Sequence, residues 1–253
     1  MRHSNPVESV SVPKPMLFAL IALQAATAPP ALDELLARNL DSRGGRERLA
    51  SVSTMRLTGQ MTLGPGREAP VTIEMKRPNK VRLEFRVQGM TGVQAFDGEV
   101  AWLLPPYGGR DKAERLPEDE TAAVRQQSDF DGPLVGWREK GLDVKFVARE
   151  TLAGEPAWRL SIAFPDGSTK DVWLDGERCL ERKSESRRSV AGEIVVGESL
   201  VSDYRDVDGL VLPHAFENGP KGAAERQKLV ITKVELNPAL DDARFSMPHQ
   251  SKE

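Results

Sequence analysis

The chain has 253 residues, of which 39% are hydrophobic and 29% are charged. This composition excludes a largely membrane-embedded chain and a disordered one, and the length suits one large β domain. The formal net charge is −3, and the basic residues form no cluster of the kind that follows phosphates, so no nucleic-acid partner is expected.

The N-terminal segment has the order of regions typical of a secretory signal peptide. Arg2 and Lys14 precede an apolar stretch over 16–23, and the small residues of 25–28 follow it. The apolar stretch is shorter than the roughly 20 residues of a membrane-spanning helix. We therefore predict a signal peptide over 1–28 and one mature domain over 29–253. A start at Met16 is an alternative that would remove both positive charges from the leader.

The mature chain opens with one predicted helix, because leucines recur at helical spacing from Leu32 to Leu40 before Gly44 and Gly45 interrupt them. Residues 46–50 can add a further turn. From Thr54 the period changes to two, and three strands over 55–63, 71–76 and 81–87 alternate apolar with charged residues. This alternation predicts an antiparallel sheet with one solvated face. The apolar set is Met55, Leu57, Met61, Val71, Ile73, Met75, Val81, Leu83 and Phe85.

Nine further short strands follow, separated by Asp-Gly and similar turns. Their predicted ranges are 92–96, 100–104, 144–151, 157–164, 170–174, 179–186, 194–204, 210–217 and 228–236. Residues 118–127 are helix-prone, and 133–140 can form a second short helix. The pattern predicts a mainly β (α+β) fold. A sheet of this length must curl or split, so we expect a curved antiparallel half-open barrel with helices covering the concave apolar face. A two-sheet sandwich is the alternative.

No arrangement of residues indicates catalysis or metal binding. Cys179 is the single cysteine, and the three histidines, His3, His214 and His249, have no metal-ligand spacing. The Gly-x-Ser-x-Gly, Gly-x-Gly-x-x-Gly and P-loop patterns are absent from the sequence. We therefore predict that the protein is not an enzyme and has no cofactor, no metal site and no catalytic residues.

Several ordered segments resemble the LolA/LolB-like family of periplasmic carriers that sort outer-membrane lipoproteins. Lys76-Arg77-Pro78-Asn79 is similar to the family's strand-end pattern. Residues 96–102, followed by Pro105-Pro106-Tyr107, are similar to its hairpin, and 242–248 are similar to its closing segment. The runs 130–134 and 203–213 resemble a wider branch of the same group.

The resemblance implies a curved half-open barrel whose hydrophobic cavity shelters acyl chains. It implies that Arg77 holds a helical lid closed by bonding to backbone carbonyls. Trp102 matches the family's hairpin tryptophan, and we place it in the predicted cavity lining with the nine apolar residues named above; a packing residue is the alternative. It also implies a soluble periplasmic protein, expected as a monomer, with an inner-membrane loading complex and an outer-membrane acceptor as possible partners. Two departures limit the transfer: Val81 stands where the carriers can have an aromatic residue, and 144–189 is richer in charge.

Two functions remain open at this point. The first is a carrier that binds acyl chains of lipoproteins or other lipids and delivers them toward the outer membrane. The alternative is a periplasmic sensor of the same fold that recognises lipid or a partner protein. Periodicity by itself also allows the apolar face to be a packed core without a cavity.

Overall fold

The computed structural model describes residues 30–64, 66–106 and 112–248. The predicted signal peptide, Tyr107 and His249 lie outside these ranges. The α-helices in the described ranges are α1 (Leu32–Ser42), α2 (Gly45–Ala50) and α3 (Glu118–Gln127), and a 3₁₀ turn spans Asp242–Arg244.

The strands are β1 (Thr54–Thr62), β2 (Glu68–Lys76), β3 (Lys80–Val87), β4 (Met90–Phe96), β5 (Ala101–Leu104), β6 (Glu114–Arg115), β7 (Asp143–Leu152), β8 (Glu155–Ala163), β9 (Thr169–Asp175), β10 (Glu181–Val190), β11 (Glu193–Val207), β12 (Leu210–Pro220) and β13 (Gln227–Leu236). They form one antiparallel sheet in the order β6-β5-β4-β3-β2-β1-β13-β12-β11-β10-β9-β8-β7. Two meanders therefore meet where β1 pairs with β13, and β6 and β7 remain as edges. The predicted half-open antiparallel sheet is confirmed.

The period-two pattern sets the register of the first three strands. Met55 lies opposite Met75, and Met75 lies opposite Val81, so the apolar side chains of β1, β2 and β3 share one face. The helices pack against that same face: Val124 of α3, for example, is buried against Val81 and Phe96. We call this helix-covered side of the sheet the inner face and the opposite side the outer face.

Helix α1 packs against the half of the inner face that includes β8 and β9. Its leucines fall at helical spacing, and Leu35 is fully buried against Leu160 and Leu174 of β8 and β9. The Asn39 side chain donates to the backbone carbonyl of Cys179 at 2.7 Å. The same packing buries Cys179 completely.

The outer face of β1–β3 differs from the expectation that it would be solvated. Residues 237–248, which we call the C-terminal strap, cross it. Glu74 is only 1% exposed, because its carboxylate is held between Arg56 at 2.9 Å and Arg244 of the strap at 2.7 Å. Phe245 of the strap is fully buried. One charged strand residue, Glu74, is thus buried between two partly exposed arginines, an arrangement that a fully solvated face would not give.

Two local predictions need correction. Residues 133–140 form successive turns and no regular helix, because Gly136 and Gly141 adopt positive φ angles of 63° and 69°. The short edge strand β6 was not predicted, since two residues are too few to show a period. Helix α3, in contrast, occupies the predicted range and carries Glu118, Asp119 and Glu120 in its first turn.

Candidate functional site

The nine apolar residues predicted from β1–β3 lie together on the inner face. Strand register places Ile73 between Leu57 and Leu83, and Val71 beside Phe85. Within the set, Met55, Met61, Val71 and Val81 are buried, whereas Leu57, Ile73, Met75, Leu83 and Phe85 are only half-buried. The half-buried members leave apolar surface beneath the helices incompletely covered.

Trp102 lies on the opposite face from these nine residues. It pairs with Ala95, whose neighbours in register are Arg82 and then the buried Glu74 of the outer face. Its indole Nε1 donates to the backbone carbonyl of Phe245 in the C-terminal strap at 2.8 Å. Trp102 therefore packs beneath the strap and does not share the surface of the other nine.

The inner apolar surface extends beyond the predicted strands onto β13 and β12. Leu236 lies opposite Met55, and Val234 lies opposite Leu57. Phe216 and Leu212 of β12 continue the surface, and all four side chains are half-buried. Sequence reasoning missed them because it did not reveal that β13 pairs with β1.

A crevice of about 790 Å³ opens between α1 and the segment 131–140. Its apolar walls are Leu36 and Leu40 on one side and Leu134, Val135 and Trp137 on the other. A second void of about 210 Å³ shares Leu40, Arg46, Asp131 and Val135 with the crevice and reaches Arg77. The crevice volume is within the range of pockets that hold small ligands.

Arg77 joins three parts of the molecule at the edge of the smaller void. It follows β2 directly, and its guanidinium forms two parallel bonds with the Asp131 carboxylate, Nη1 to Oδ2 at 2.7 Å and Nη2 to Oδ1 at 2.6 Å. Nε donates to the carbonyl of Val52 at 2.7 Å, and Nη2 donates to that of Leu49, in α2, at 3.0 Å. The guanidinium also stacks 4.4 Å from the ring centroid of Phe130. We call this set of contacts the latch.

The latch is electrostatically strong, because a guanidinium and a carboxylate pair in fork geometry. The bonds to Asp131 raise the pKa of Arg77. Partial burial acts to raise the pKa of Asp131, but the bonds and charge of Arg77, aided by Lys140 and Arg43, hold it below its ordinary value. Arg43 also donates to the backbone carbonyl of Asp131 at 2.8 Å. The segment around Asp131 is therefore fixed to both the sheet and the helices.

We expect the latch to give a stability difference that depends on pH. Because the folded-state pKa of Asp131 is lowered, its contribution is complete above its unfolded value of about 4 and is lost as pH falls through the lowered pKa. Asp131→Asn should therefore reduce the free energy of unfolding by about 1–2 kcal/mol at pH 7, a figure discounted for partial exposure. Urea unfolding of wild type and variant between pH 7 and pH 3 measures the difference, which should shrink below about pH 4.

The matched control is the exposed Asp203–Arg205 pair, which also has two bonds between guanidinium and carboxylate, here from Nε and Nη2. Asp203→Asn should change stability much less than Asp131→Asn. Equal losses in the two variants, or a loss at Asp131 that is as large at pH 3 as at pH 7, would contradict the assigned role of the latch.

Asp131 is the functional residue that the sequence analysis did not single out. Arg77 was identified through resemblance, but its carboxylate partner lies 54 residues away along the chain. The sequence feature that could have identified Asp131 is its position within the run 130–134, which resembles a wider branch of the family.

In the described ranges, no helix combines the length and apolar character needed to cross a membrane. Those same ranges contain no group of three or more His, Cys, Asp or Glu side chains placed to hold a metal ion.

No protein-family model matches the chain, and no curated protein matches it. Several solved structures match the chain in fold. A LolA superfamily protein from Nitrosomonas europaea is 13% identical, with 85% of this chain and 96% of that chain covered and a TM-score of 0.57. A DUF1329 family protein from Desulfovibrio piger is 10% identical, with 85% and 96% covered and a TM-score of 0.60.

A third structure is a domain described as an outer membrane lipoprotein-sorting protein, from Vibrio parahaemolyticus. It is 12% identical, with 84% of this chain and 93% of that chain covered and a TM-score of 0.57. These likenesses extend over most of the chain and agree with the single open antiparallel sheet. The chain therefore has the LolA-like fold.

Proposed function

We propose that this protein is a periplasmic carrier that binds acyl chains of lipoproteins or other lipids and delivers them toward the outer membrane. The observation that carries the proposal is the half-buried apolar inner face beneath helices that a polar latch holds in place. The crevice beside α1 provides about 790 Å³ next to that latch. The LolA-like fold, shared with a lipoprotein-sorting domain, supports the same function.

Binding would be driven by removal of apolar surface from water. Each buried methylene contributes about 0.8 kcal/mol, so a long acyl chain supplies a large favourable term. Residues such as Met75, Leu83 and Phe85 are half-buried and offer the surface for it. Met side chains adapt to ligands of variable shape. No covalent step is needed.

Release would require a free-energy cost that offsets part of the binding free energy. Breaking the latch to open the cavity can provide that cost. Opening the helices away from the sheet breaks the bonds of Arg77 to Asp131, Leu49 and Val52. A closed empty state lowers apparent affinity by the fraction of molecules that are open. Transfer to an acceptor then becomes thermodynamically feasible.

The direct test is to express the full chain in a diderm bacterium, purify it from the periplasm without detergent, and analyse it by native mass spectrometry with lipid extraction. The carrier function predicts a lipid or acylated peptide near one equivalent. It also predicts that N-phenyl-1-naphthylamine gains fluorescence with the delipidated protein. A clean ligand-free mass together with no fluorescence gain would mean that the inner face is a packed core, and the sensor alternative would then lead.

The latch gives a second expectation. Arg77→Leu should weaken closure, so cargo is retained more and transferred several-fold more slowly to acceptor vesicles. Arg86→Leu is the control, because Arg86 is exposed on the outer face and its one ion pair among the described residues is a 3.8 Å contact to Glu84. Equal transfer rates for wild type and Arg77→Leu would contradict the latch mechanism.

The remaining parts of the proposal concern the whole chain. We propose that residues 1–28 are a signal peptide, that 29–253 act as one lipid-binding domain, and that the mature protein is a soluble monomer. An inner-membrane loading complex and an outer-membrane acceptor would be its partners. Mass measurement of the periplasmic protein reports the leader cleavage directly.

A further inference from the structure

A polar patch interrupts the apolar inner face on three adjacent strands. Strand register places Ser186 between Lys170 of β9 and Gly197 of β11, and Ser184 beside Ser199. Ser184 also lies opposite Val172, a buried member of the cluster beneath α1, so these positions belong to the inner face. Arg188 follows two residues after Ser186 on the same face. We call Lys170, Ser184, Ser186, Arg188 and Ser199 the inner polar patch.

The patch has unused hydrogen-bonding capacity. Ser184 is only 4% exposed, yet neither its hydroxyl nor those of Ser186 and Ser199 bond to any residue that the structure describes. Arg188 forms no hydrogen bond or ion pair within the described ranges, and its Nε is buried without a partner. A buried donor without an acceptor is costly, so Arg188 Nε calls for a partner such as ordered water or an ion.

The charges around the patch leave its cations available. Within the described part of the chain, Lys170 has one ionic contact, with its Nζ 3.6 Å from Glu181 Oε1. Asp119 of α3 lies within electrostatic range of Arg188, but its Oδ2 accepts the backbone N–H of Ala191 at 2.9 Å. Gly197 keeps the patch open, since a Cβ at that position would lie 3.1 Å from Ser186 Oγ.

We propose that the inner polar patch binds the anionic phosphate head group of an acyl lipid whose chain lies on the adjoining apolar inner face. A guanidinium, an ammonium and three hydroxyl groups supply the donors that phosphate oxygens accept, and Arg188 can donate to two oxygens at once. The inference rests on the proposed carrier function and specifies its ligand class as anionic amphiphiles. The phosphate head group would accept hydrogen bonds from donors of the inner polar patch that a neutral lipid would leave unpaired.

The test compares two ligands with the same chain. Tetradecyl phosphate and tetradecanol compete for N-phenyl-1-naphthylamine bound to the delipidated full chain. We expect tetradecyl phosphate to bind roughly tenfold more tightly, the effect of one or two charge-assisted bonds. Arg188→Gln should abolish most of this preference without changing tetradecanol binding, and Ser184→Ala should reduce it by a smaller factor. Inorganic phosphate alone should leave the probe in place.

Arg187→Gln is the matched control. Arg187 is the neighbouring residue on β10, is exposed, and pairs with Val196 on the outer face, so its loss should leave the preference unchanged. Equal affinity for the two amphiphiles, equal effects of Arg187→Gln and Arg188→Gln, or displacement by inorganic phosphate as effective as by tetradecyl phosphate would overturn the inference while leaving the carrier function intact. Failure of both amphiphiles to displace a bound probe, or failure of the probe itself to bind, would instead contradict the carrier function.

Discussion

Replacing Phe245 by alanine is expected to lower the free energy of unfolding by about 3–5 kcal/mol, the usual loss for truncating a fully buried phenylalanine. Phe245 has no exposed surface, although it lies in a segment near the end of the chain without regular strand structure. Its backbone carbonyl accepts the indole N–H of Trp102, so the side chain and main chain of one residue fix the C-terminal strap to the outer face.

The loss in free energy of unfolding should exceed the value expected from removing the phenyl ring from apolar surroundings, because the strap also neutralises the buried charge of Glu74. Arg244 is the residue next to Phe245, and its Nε lies 2.7 Å from the nearly fully buried Glu74 carboxylate. A strap that loosens leaves Glu74 with Arg56 as its remaining partner. Removing one partner of a buried ion pair is strongly destabilising.

Urea unfolding followed by far-UV circular dichroism measures the effect of Phe245→Ala. Ser246→Ala is the matched control, because Ser246 is the next residue of the strap and is exposed. It should change stability by less than about 0.5 kcal/mol. A loss at Phe245 no larger than that at Ser246 would show that the strap does not contribute to the stability of the outer face.

Replacing Gly44 by alanine is the second large expected effect, also about 3–5 kcal/mol. Gly44 separates α1 from α2 and has a φ of 113°, a region that residues with a Cβ rarely adopt. A Cβ there would lie 2.2 Å from the backbone oxygen of Gly209 in the turn between β11 and β12. The helices would have to move off the turn on which they rest.

The contacts around Gly44 show what such a movement would disturb. Arg48 Nε donates to the carbonyl of Asp208 at 2.6 Å, and the Val211 N–H donates to the carbonyl of Arg43 at 3.2 Å. These bonds attach the α1–α2 junction to the turn between β11 and β12, at the same end of the sheet as the latch. We therefore expect Gly44→Ala to raise the fluorescence of bound N-phenyl-1-naphthylamine by uncovering the inner face, as well as to lower stability.

Gly45→Ala separates backbone strain from steric contact. Gly45 has a φ of 81°, but nothing lies within 4 Å of the position that its Cβ would take. The variant should lose roughly 1–2 kcal/mol from strain and should keep the helices seated. If both variants lose the same stability and leave probe fluorescence unchanged, the close approach of Gly44 to Gly209 has no structural importance.

The sequence by itself determined the residues that share a face in the first three strands. Side chains alternate across a strand, so the period-two run from Met55 to Phe85 sorted apolar from charged residues before any pairing was known. The helical spacing of the leucines in α1 and the acidic first turn of α3 were predictable for similar local reasons. The position of Arg77 came from resemblance to a family pattern and not from periodicity.

The segments that cover the inner and outer faces of the sheet, and the residues that form its ion pairs, were determined only by the tertiary structure. The pairing of β1 with β13 joins the first and last strands of the sheet in chain order and extends the apolar surface to Val234 and Leu236. The partners Arg77 and Asp131 are 54 residues apart, and Arg244 and Glu74 are 170 residues apart. Local periodicity reports the direction in which a side chain leaves its own strand, but it contains no information about the distant segment that packs there. For that reason the periodicity of the sequence does not reveal the strap that covers Glu74, the carboxylate that completes the latch or the polar patch on the inner face.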